Sequence, residues 1–220
     1  MHNSPSGVKG RFFIIMSKKE IHIEEHRDDE ASKLGMWLFI FTELLLFGGL
    51  FLVYSIFRAQ YPTAFHQSSL ELSVTIGAIN TIVLLFSSMT IAMALTAIQK
   101  NDQKRALIFI GVTLFCAAIF LVNKYFEWGH KIEHGLYPGS ALMPLLDRGH
   151  LLYFSLYFFM TGLHALHIII GMTLLVVCYF KVKNQNINNK DYVLLENGAL
   201  YWHLVDLIWI FLFPLMYLIS

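Results

Sequence analysis

Residues 34–57 read LGMWLFIFTELLLFGGLFLVYSIF, and Glu43 is the only acidic or basic side chain among them. A helix that crosses a bilayer needs about 20 apolar residues, because its backbone N–H and C=O groups find no water in the hydrocarbon. This stretch meets the requirement and predicts a transmembrane helix. The whole chain of 220 residues is 56% hydrophobic and only 14% charged, which is too apolar for an ordinary soluble domain.

Four further stretches have the same apolar character and the same sufficient length. They are residues 73–98, 106–128, 151–180 and 198–219. The connections between them are short, and no long polar block remains that could fold separately. We therefore predict an all-α polytopic membrane protein, with a bundle of five transmembrane helices over residues 34–220 and a charged N-terminal tail over residues 1–33.

Lysine and arginine are distributed unevenly over the two sides of the predicted bundle. Twelve of the sixteen lie in the N-terminal tail and in the two connections on the same side, and three lie in the connections on the other side. By the positive-inside rule, the N-terminus is predicted to be cytoplasmic and the C-terminus periplasmic. The absence of a transit-peptide pattern favours a bacterial inner membrane.

Several functional classes find no support in the sequence. The net charge is +1, and there is no Walker, Rossmann or zinc-finger pattern, so nothing indicates binding of nucleic acid or nucleotides. Cys116 and Cys178 both fall inside predicted spans, where a thiol behaves as a small apolar group.

Glu43 lies about 14 Å along the first predicted span, well inside the hydrocarbon. An ionised carboxylate is costly there, so the side chain is expected to be protonated, or to face a partner or a water-filled space. One interpretation is a neutral acid that hydrogen-bonds a neighbouring helix. The other is a residue that exchanges protons or senses a partner.

Two pairs of polar residues occur at three-residue spacing, which places each pair on one face of a helix. His164 and His167 lie on the fourth span, and His203 and Asp206 lie on the fifth. The two faces are expected to meet if the last helix begins near Tyr192. The same side chains could instead supply a transition-metal site or hold a haem, but a hydrogen-bonded polar cluster that joins helices is the preferred interpretation.

The third span ends in the sequence Lys124-Tyr-Phe-Glu127-Trp128. Lys124 and Glu127 are three residues apart, so an ion pair within the helix is expected, with the lysine reaching toward the membrane surface. The alternative is a contact with a lipid headgroup or a neighbouring subunit.

Five segments together resemble subunit III of the haem–copper terminal oxidases, which comprise cytochrome c oxidases and quinol oxidases. The segments are MWLFIFTELLLFGGLF around Glu43, NTIVLLFSSMT from Asn80, FEWGHKIEHGL with Glu127 and Trp128, TGLHALHIIIG from Thr161, and YWHLVDLIWIFLF from Tyr201. They occur in the order of the family and cover approximately residues 34–219. Many members have seven helices, and the resemblance implies a shorter form that lacks the first two.

The resemblance implies an accessory subunit that binds no haem or copper itself. The haem and copper are expected in the catalytic subunit I and in subunit II, with a small subunit IV as a further candidate partner, and phospholipid is expected to bind. Glu43 corresponds to a buried glutamate that reacts with a hydrophobic carbodiimide. The implied roles are to stabilise the catalytic subunit, to support proton uptake and to ease oxygen access.

Two other functions stay open at this stage. One is the related accessory protein of nitric oxide reductases, which shares these helices. The other is a small proton channel or transporter that uses Glu43 and the histidines as a relay. The residues do not indicate whether the electron donor of the complex is a cytochrome c or a quinol.

Overall fold

A computed structural model describes residues 7–140 and 147–218, with side chains from Asp29 onward. Within these residues the regular elements are all helices. They are α1 (Gly7–Gln60), α2 (Pro62–Leu70), α3 (Val74–Gln99), α4 (Gln103–Glu133), α5 (Arg148–Lys183) and α6 (Val193–Phe213), followed by a π-helical turn at Pro214–Leu218.

Five of these helices are long and apolar enough to cross a membrane, which confirms the predicted all-α polytopic fold. Most of their ends lie a few residues outside the predicted limits: the first span covers Asp29–Gln60, and the last begins at Val193 and ends at Leu218, one residue before its predicted end. The backbone of α1 already begins at Gly7. The side chains of residues 1–28 lie outside the described residues, so the assignment of 1–33 as a separate tail stays a prediction.

The short helix α2 was not predicted from the sequence. It begins at Pro62 directly after α1 ends at Gln60, and proline suits the first turn of a helix because its missing N–H would have no partner there. The side chains of Phe65 and Ser68 are buried against the bundle. Helix α2 therefore forms part of the end of the bundle where α1 meets α5.

Side-chain caps set the starts of α3 and α4. The Ser73 hydroxyl accepts a hydrogen bond from the backbone N–H of Ile76 at 3.4 Å, and the Asp102 carboxylate accepts one from the N–H of Arg105 at 3.1 Å. Asn101 stands between the two helices with a φ of 59°, a left-handed conformation that asparagine tolerates. This tight turn makes α3 and α4 antiparallel neighbours.

Helices α3, α4, α5 and α6 form the packed body of the bundle, and α1 lies against α5 and α6 at its edge. In the most apolar part of the first span only 6% of the residues are buried, whereas 56% are buried in the last span. Most of the surface of α1 therefore faces the membrane, and α6 occupies the interior.

Glycine allows the closest approaches between helices. A Cβ atom added at Gly77 would lie 2.5 Å from the Phe213 ring, and one added at Gly149 would lie 2.5 Å from the Cβ of Ala64. Small residues at such contacts let membrane helices pack through van der Waals contact, since apolar burial drives little association inside lipid.

Candidate functional site

Glu43 pairs with His167 across the contact between α1 and α5. The Glu43 Oε2 atom lies 3.0 Å from His167 Nε2, and His167 Nδ1 lies 2.7 Å from the backbone carbonyl of Leu163. Because a carbonyl can only accept, Nδ1 carries a proton and donates it to Leu163. A single further proton then lies between Nε2 and the carboxyl group, so the pair is neutral overall whichever atom holds it.

This pair lies close to the lipid-facing surface rather than deep in the bundle. The side chains of His167 and Glu43 are 9% and 15% exposed, and the imidazole meets the edge of the Phe47 ring at 5.5 Å between centroids. A charge-neutral pair lowers the cost of placing two ionisable groups at this depth in a membrane. Part of the Glu43 side chain is therefore exposed at the surface of the bundle.

His164 has surroundings quite different from those of His167, although both lie on one face of α5. Its ring is fully buried, stacks on Trp209 at 5.2 Å between centroids and meets the edge of Phe120 at 5.6 Å. Among the described residues, neither of its ring nitrogens has a hydrogen-bond partner. The imidazole of His164 acts here as a ring packed among other rings.

His203 and Asp206 face α3 rather than the histidines of α5. His203 Nδ1 lies 2.7 Å from the Ser88 hydroxyl, and the buried Asp206 carboxyl lies beside the same hydroxyl. Helix α6 does begin early, directly after Tyr192. Among the described residues no side-chain hydrogen bond joins the two pairs, because His167 Nε2 pairs with Glu43 on α1 and His203 with Ser88 on α3. A single cluster of these side chains stays a prediction.

The most extensive polar network of the described residues surrounds Lys124 on α4. Its ammonium group lies 3.1 Å from Glu127, 2.6 Å from the Tyr217 hydroxyl and 3.4 Å from the Tyr157 hydroxyl. Both tyrosines donate to the other oxygen of Glu127, at 2.7 Å from Tyr157 and 2.5 Å from Tyr217. Each oxygen of the carboxylate therefore has a partner, and one network joins α4, α5 and the π-helical turn.

The predicted ion pair of Lys124 and Glu127 is present, but the expected extension of the lysine to the membrane surface is wrong. Only 2% of the Lys124 side chain is exposed. Its Nζ atom lies 5.0 Å from the centre of the Trp209 ring and slightly farther from the two tyrosine rings. The carboxylate, two hydroxyls and the faces of three rings replace water around the ammonium group.

Trp128 lies outside this network. Its ring is half-buried and packs against Phe158, with 6.0 Å between centroids. Tyr157 and Tyr217, by contrast, complete the network and were missed by sequence reasoning. Pro214 is the first residue of the π-helical turn and lacks a backbone N–H. It was the one local signal that the regular α-helix ends before Tyr217.

Four small polar residues of α3, namely Asn80, Thr81, Ser87 and Thr90, join helices. Each has a hydrogen bond to α4 or α6 inside the bundle. The bonds connect Asn123 to Asn80 at 2.8 Å, Thr90 to Thr113 at 2.7 Å, Trp202 to Ser87 at 3.0 Å and Trp209 to Thr81 at 3.0 Å.

Across residues 29–140 and 147–218, no three His, Cys, Asp or Glu side chains come together in a way that could hold a metal ion. The buried ionisable groups Glu43, His167, Lys124 and Glu127 are engaged with one another. Fold and site thus define a polytopic helical membrane protein in which Glu43 pairs with His167 and Lys124 pairs with Glu127, while His164 and Asp206 are buried outside these pairs.

The model of the family described as cytochrome c oxidase subunit III matches residues 22–220. The chain therefore belongs to this family, the third subunits of the haem–copper terminal oxidases.

Individual relatives agree with this assignment. The chain is 33% identical over 197 residues to the haem–copper oxidase subunit I+III of Aeropyrum pernix, a match that covers 86% of this chain but only 23% of that longer relative. It is 29% identical to cytochrome c oxidase subunit 3 of Synechocystis, covering 88% of this chain and 78% of the relative. It is 27% identical to a probable quinol oxidase subunit 3 of Staphylococcus aureus, covering 88% and 91%.

Proposed function

We propose that this chain is the accessory, non-redox subunit of a proton-pumping haem–copper terminal oxidase of aerobic respiration. The observation that carries the proposal is the match of residues 22–220 to the subunit III family, and the internal pairing of four ionisable side chains supports it. Glu43 is paired with His167, and Lys124 with Glu127 and two tyrosines. Groups engaged in this way stabilise a bundle and are poorly suited to hold a haem or copper, which we assign to subunits I and II.

The surface of the bundle supports a role in contact with lipid and with another subunit. Helix α1 exposes large apolar side chains along its whole span, among them Leu38, Leu45 and Leu52. We assign this surface to phospholipid and to the catalytic subunit, which the bundle would stabilise during turnover. Glu43, at the edge of that surface, is the residue we connect with support of proton uptake, and the lipid beside it with access of oxygen.

The location follows from the same proposal. A respiratory oxidase subunit with most of its lysine and arginine at one end of the bundle is expected in a bacterial inner membrane, with the N-terminus in the cytoplasm and the C-terminus in the periplasm. The relatives include both a cytochrome c oxidase subunit and a probable quinol oxidase subunit, so both donor classes fit this chain.

The experiment that tests the proposal is purification of the tagged chain from its native membrane in mild detergent. We expect a larger haem-containing subunit in the eluate, identified by mass spectrometry, together with oxygen-reducing activity. Recovery with a nitric oxide reductase would assign the chain to that enzyme instead. A chain that purifies alone and conducts protons after reconstitution would contradict the proposal and support a channel.

A labelling experiment tests the position assigned to Glu43. A hydrophobic carbodiimide partitions into the membrane and reacts with protonated carboxyl groups. Because part of the Glu43 side chain is exposed on the lipid-facing side of the bundle that we propose, we expect one adduct per chain by mass spectrometry, and its loss in Glu43→Gln. Glu71→Gln is the matched control, because the Glu71 side chain is 61% exposed at the end of the bundle. An undiminished adduct in Glu43→Gln would show that another carboxyl reacts.

A further inference from the structure

The last turn of α4 carries two exposed histidines that have no part in the site described above. His130 and His134 are four residues apart, which places one imidazole above the other on the same helix face. Their ring centroids are 4.3 Å apart, with an angle of 49° between the rings. The two rings therefore lie within the range at which both imidazoles can bind one ion.

The hydrogen bond of His134 leaves its Nε2 atom available to bind a ligand. Its Nδ1 atom lies 3.0 Å from the backbone carbonyl of His130, so Nδ1 carries the proton and donates it. In the neutral imidazole the Nε2 atom then carries no proton and can accept. Histidines that bind metal ions commonly donate their second ring nitrogen to a backbone carbonyl in this way, which fixes the orientation of the ring.

The charges around the two rings also favour a cation. The C-terminus of a helix carries partial negative charge from its unpaired carbonyl groups, and His134 is the C-cap of α4. The neighbouring Lys131 is buried and turned away from the two rings. Its ammonium group bonds the backbone carbonyl of Glu71 and lies 3.9 Å from the Glu71 carboxylate. Glu133, on the same turn, adds an exposed carboxylate.

This turn lies outside the hydrocarbon. His130 is about 40 Å along α4 from Gln103 at 1.5 Å per residue, whereas the hydrocarbon core is about 30 Å thick. Ions dissolved in water can reach both rings.

We propose that His130 and His134 form a binding site for a divalent transition-metal ion of the Cu²⁺, Zn²⁺ or Ni²⁺ class. Imidazole nitrogens suit these ions, and two imidazoles one helical turn apart form a chelate. Water would complete the coordination, so the ion exchanges with the solution. The proposal is independent of the oxidase assignment, since it concerns only side chains of this chain.

The test is a titration of the full-length chain, without a histidine tag, with Cu²⁺ in detergent micelles. Affinity is measured by calorimetry, and the nitrogen ligands are observed by electron paramagnetic resonance. We expect one tightly bound ion per chain with two nitrogen ligands. His130→Ala and His134→Ala should each weaken binding by about tenfold or more, because loss of even a residue that orients a metal ligand commonly costs 10 to 100-fold in affinity.

His66→Ala is the matched control, since His66 is an exposed histidine on α2. It should bind Cu²⁺ as the unchanged chain does. Both His130 and His134 are exposed, so their replacement should leave the helix content measured by circular dichroism unchanged. Equal affinity in His134→Ala and the unchanged chain, or an equal loss in His66→Ala, would overturn the proposal.

Discussion

Lys124→Met is expected to lower the free energy of unfolding by about 3 to 5 kcal/mol. The substitution leaves Glu127 buried without its ammonium partner, and removing one member of a buried ion pair costs this much because the remaining charge is uncompensated. Only 2% of the Lys124 side chain and 4% of the Glu127 side chain are exposed, so water cannot replace the lost partner. Unfolding by a denaturing detergent in mixed micelles, followed by tryptophan fluorescence, measures the effect.

A double-mutant cycle separates the charge from the packing. The double variant Lys124→Met with Glu127→Gln should lose much less stability than the sum of the two single variants, because no uncompensated charge remains. The control is Arg105→Met, which breaks an exposed pair with Asp102 on the same helix and should cost at most about 1 kcal/mol. Equal losses for Lys124→Met and Arg105→Met would contradict the network described around Lys124.

Trp209→Ala is expected to destabilise the bundle by about 3 kcal/mol or more. The indole is fully buried, meets the edge of Phe120 at 4.8 Å and stacks on His164 at 5.2 Å. It also donates to the Thr81 hydroxyl at 3.0 Å. Truncation leaves a cavity where α3, α4, α5 and α6 meet, and cavities of this size cost about 3 to 5 kcal/mol in protein cores.

Two further variants identify the cause of that loss. Trp209→Phe keeps one aromatic ring but removes the N–H donor and part of the indole volume, so it should cost clearly less than Trp209→Ala. Trp37→Ala changes a tryptophan on α1 that is 60% exposed, and its effect on the same unfolding transition should be small. If Trp37→Ala were as destabilising as Trp209→Ala, the internal position of α6 would be wrong.

The five spans could be predicted because the bilayer imposes a length and a composition on each of them. Nothing comparable constrains α2, which has only nine residues, or the π-helical turn after Pro214. Both are set by packing against helices distant in the sequence. Local sequence patterns do not report contacts between helices that are distant in the sequence. The spans were therefore predicted, and these two elements were missed.

The same limit applies to the candidate site. The pairing of Lys124 with Glu127 was predictable since both lie on one helix, three residues apart. The pairing of Glu43 with His167 depends on which helices are neighbours, and spacing within a helix carries no such information. The spacing of His164 and His167 correctly placed both on one face of α5. It could not show that His167 contacts α1 whereas His164 packs in the interior of the bundle.

The unequal burial of the first and last spans has a consequence for biosynthesis. Helix α1 buries little of its surface against the other helices, and what it gains from them is mainly the His167 partner of Glu43. Helix α6 carries Asp206 about halfway along, and an aspartate at the centre of an isolated span costs about 2.5 to 3.5 kcal/mol on the insertion scale. We expect α6 to leave the translocon as it packs against α3, where Ser88 bonds His203 and lies beside Asp206, which makes the insertion of the last helix dependent on the helices made before it.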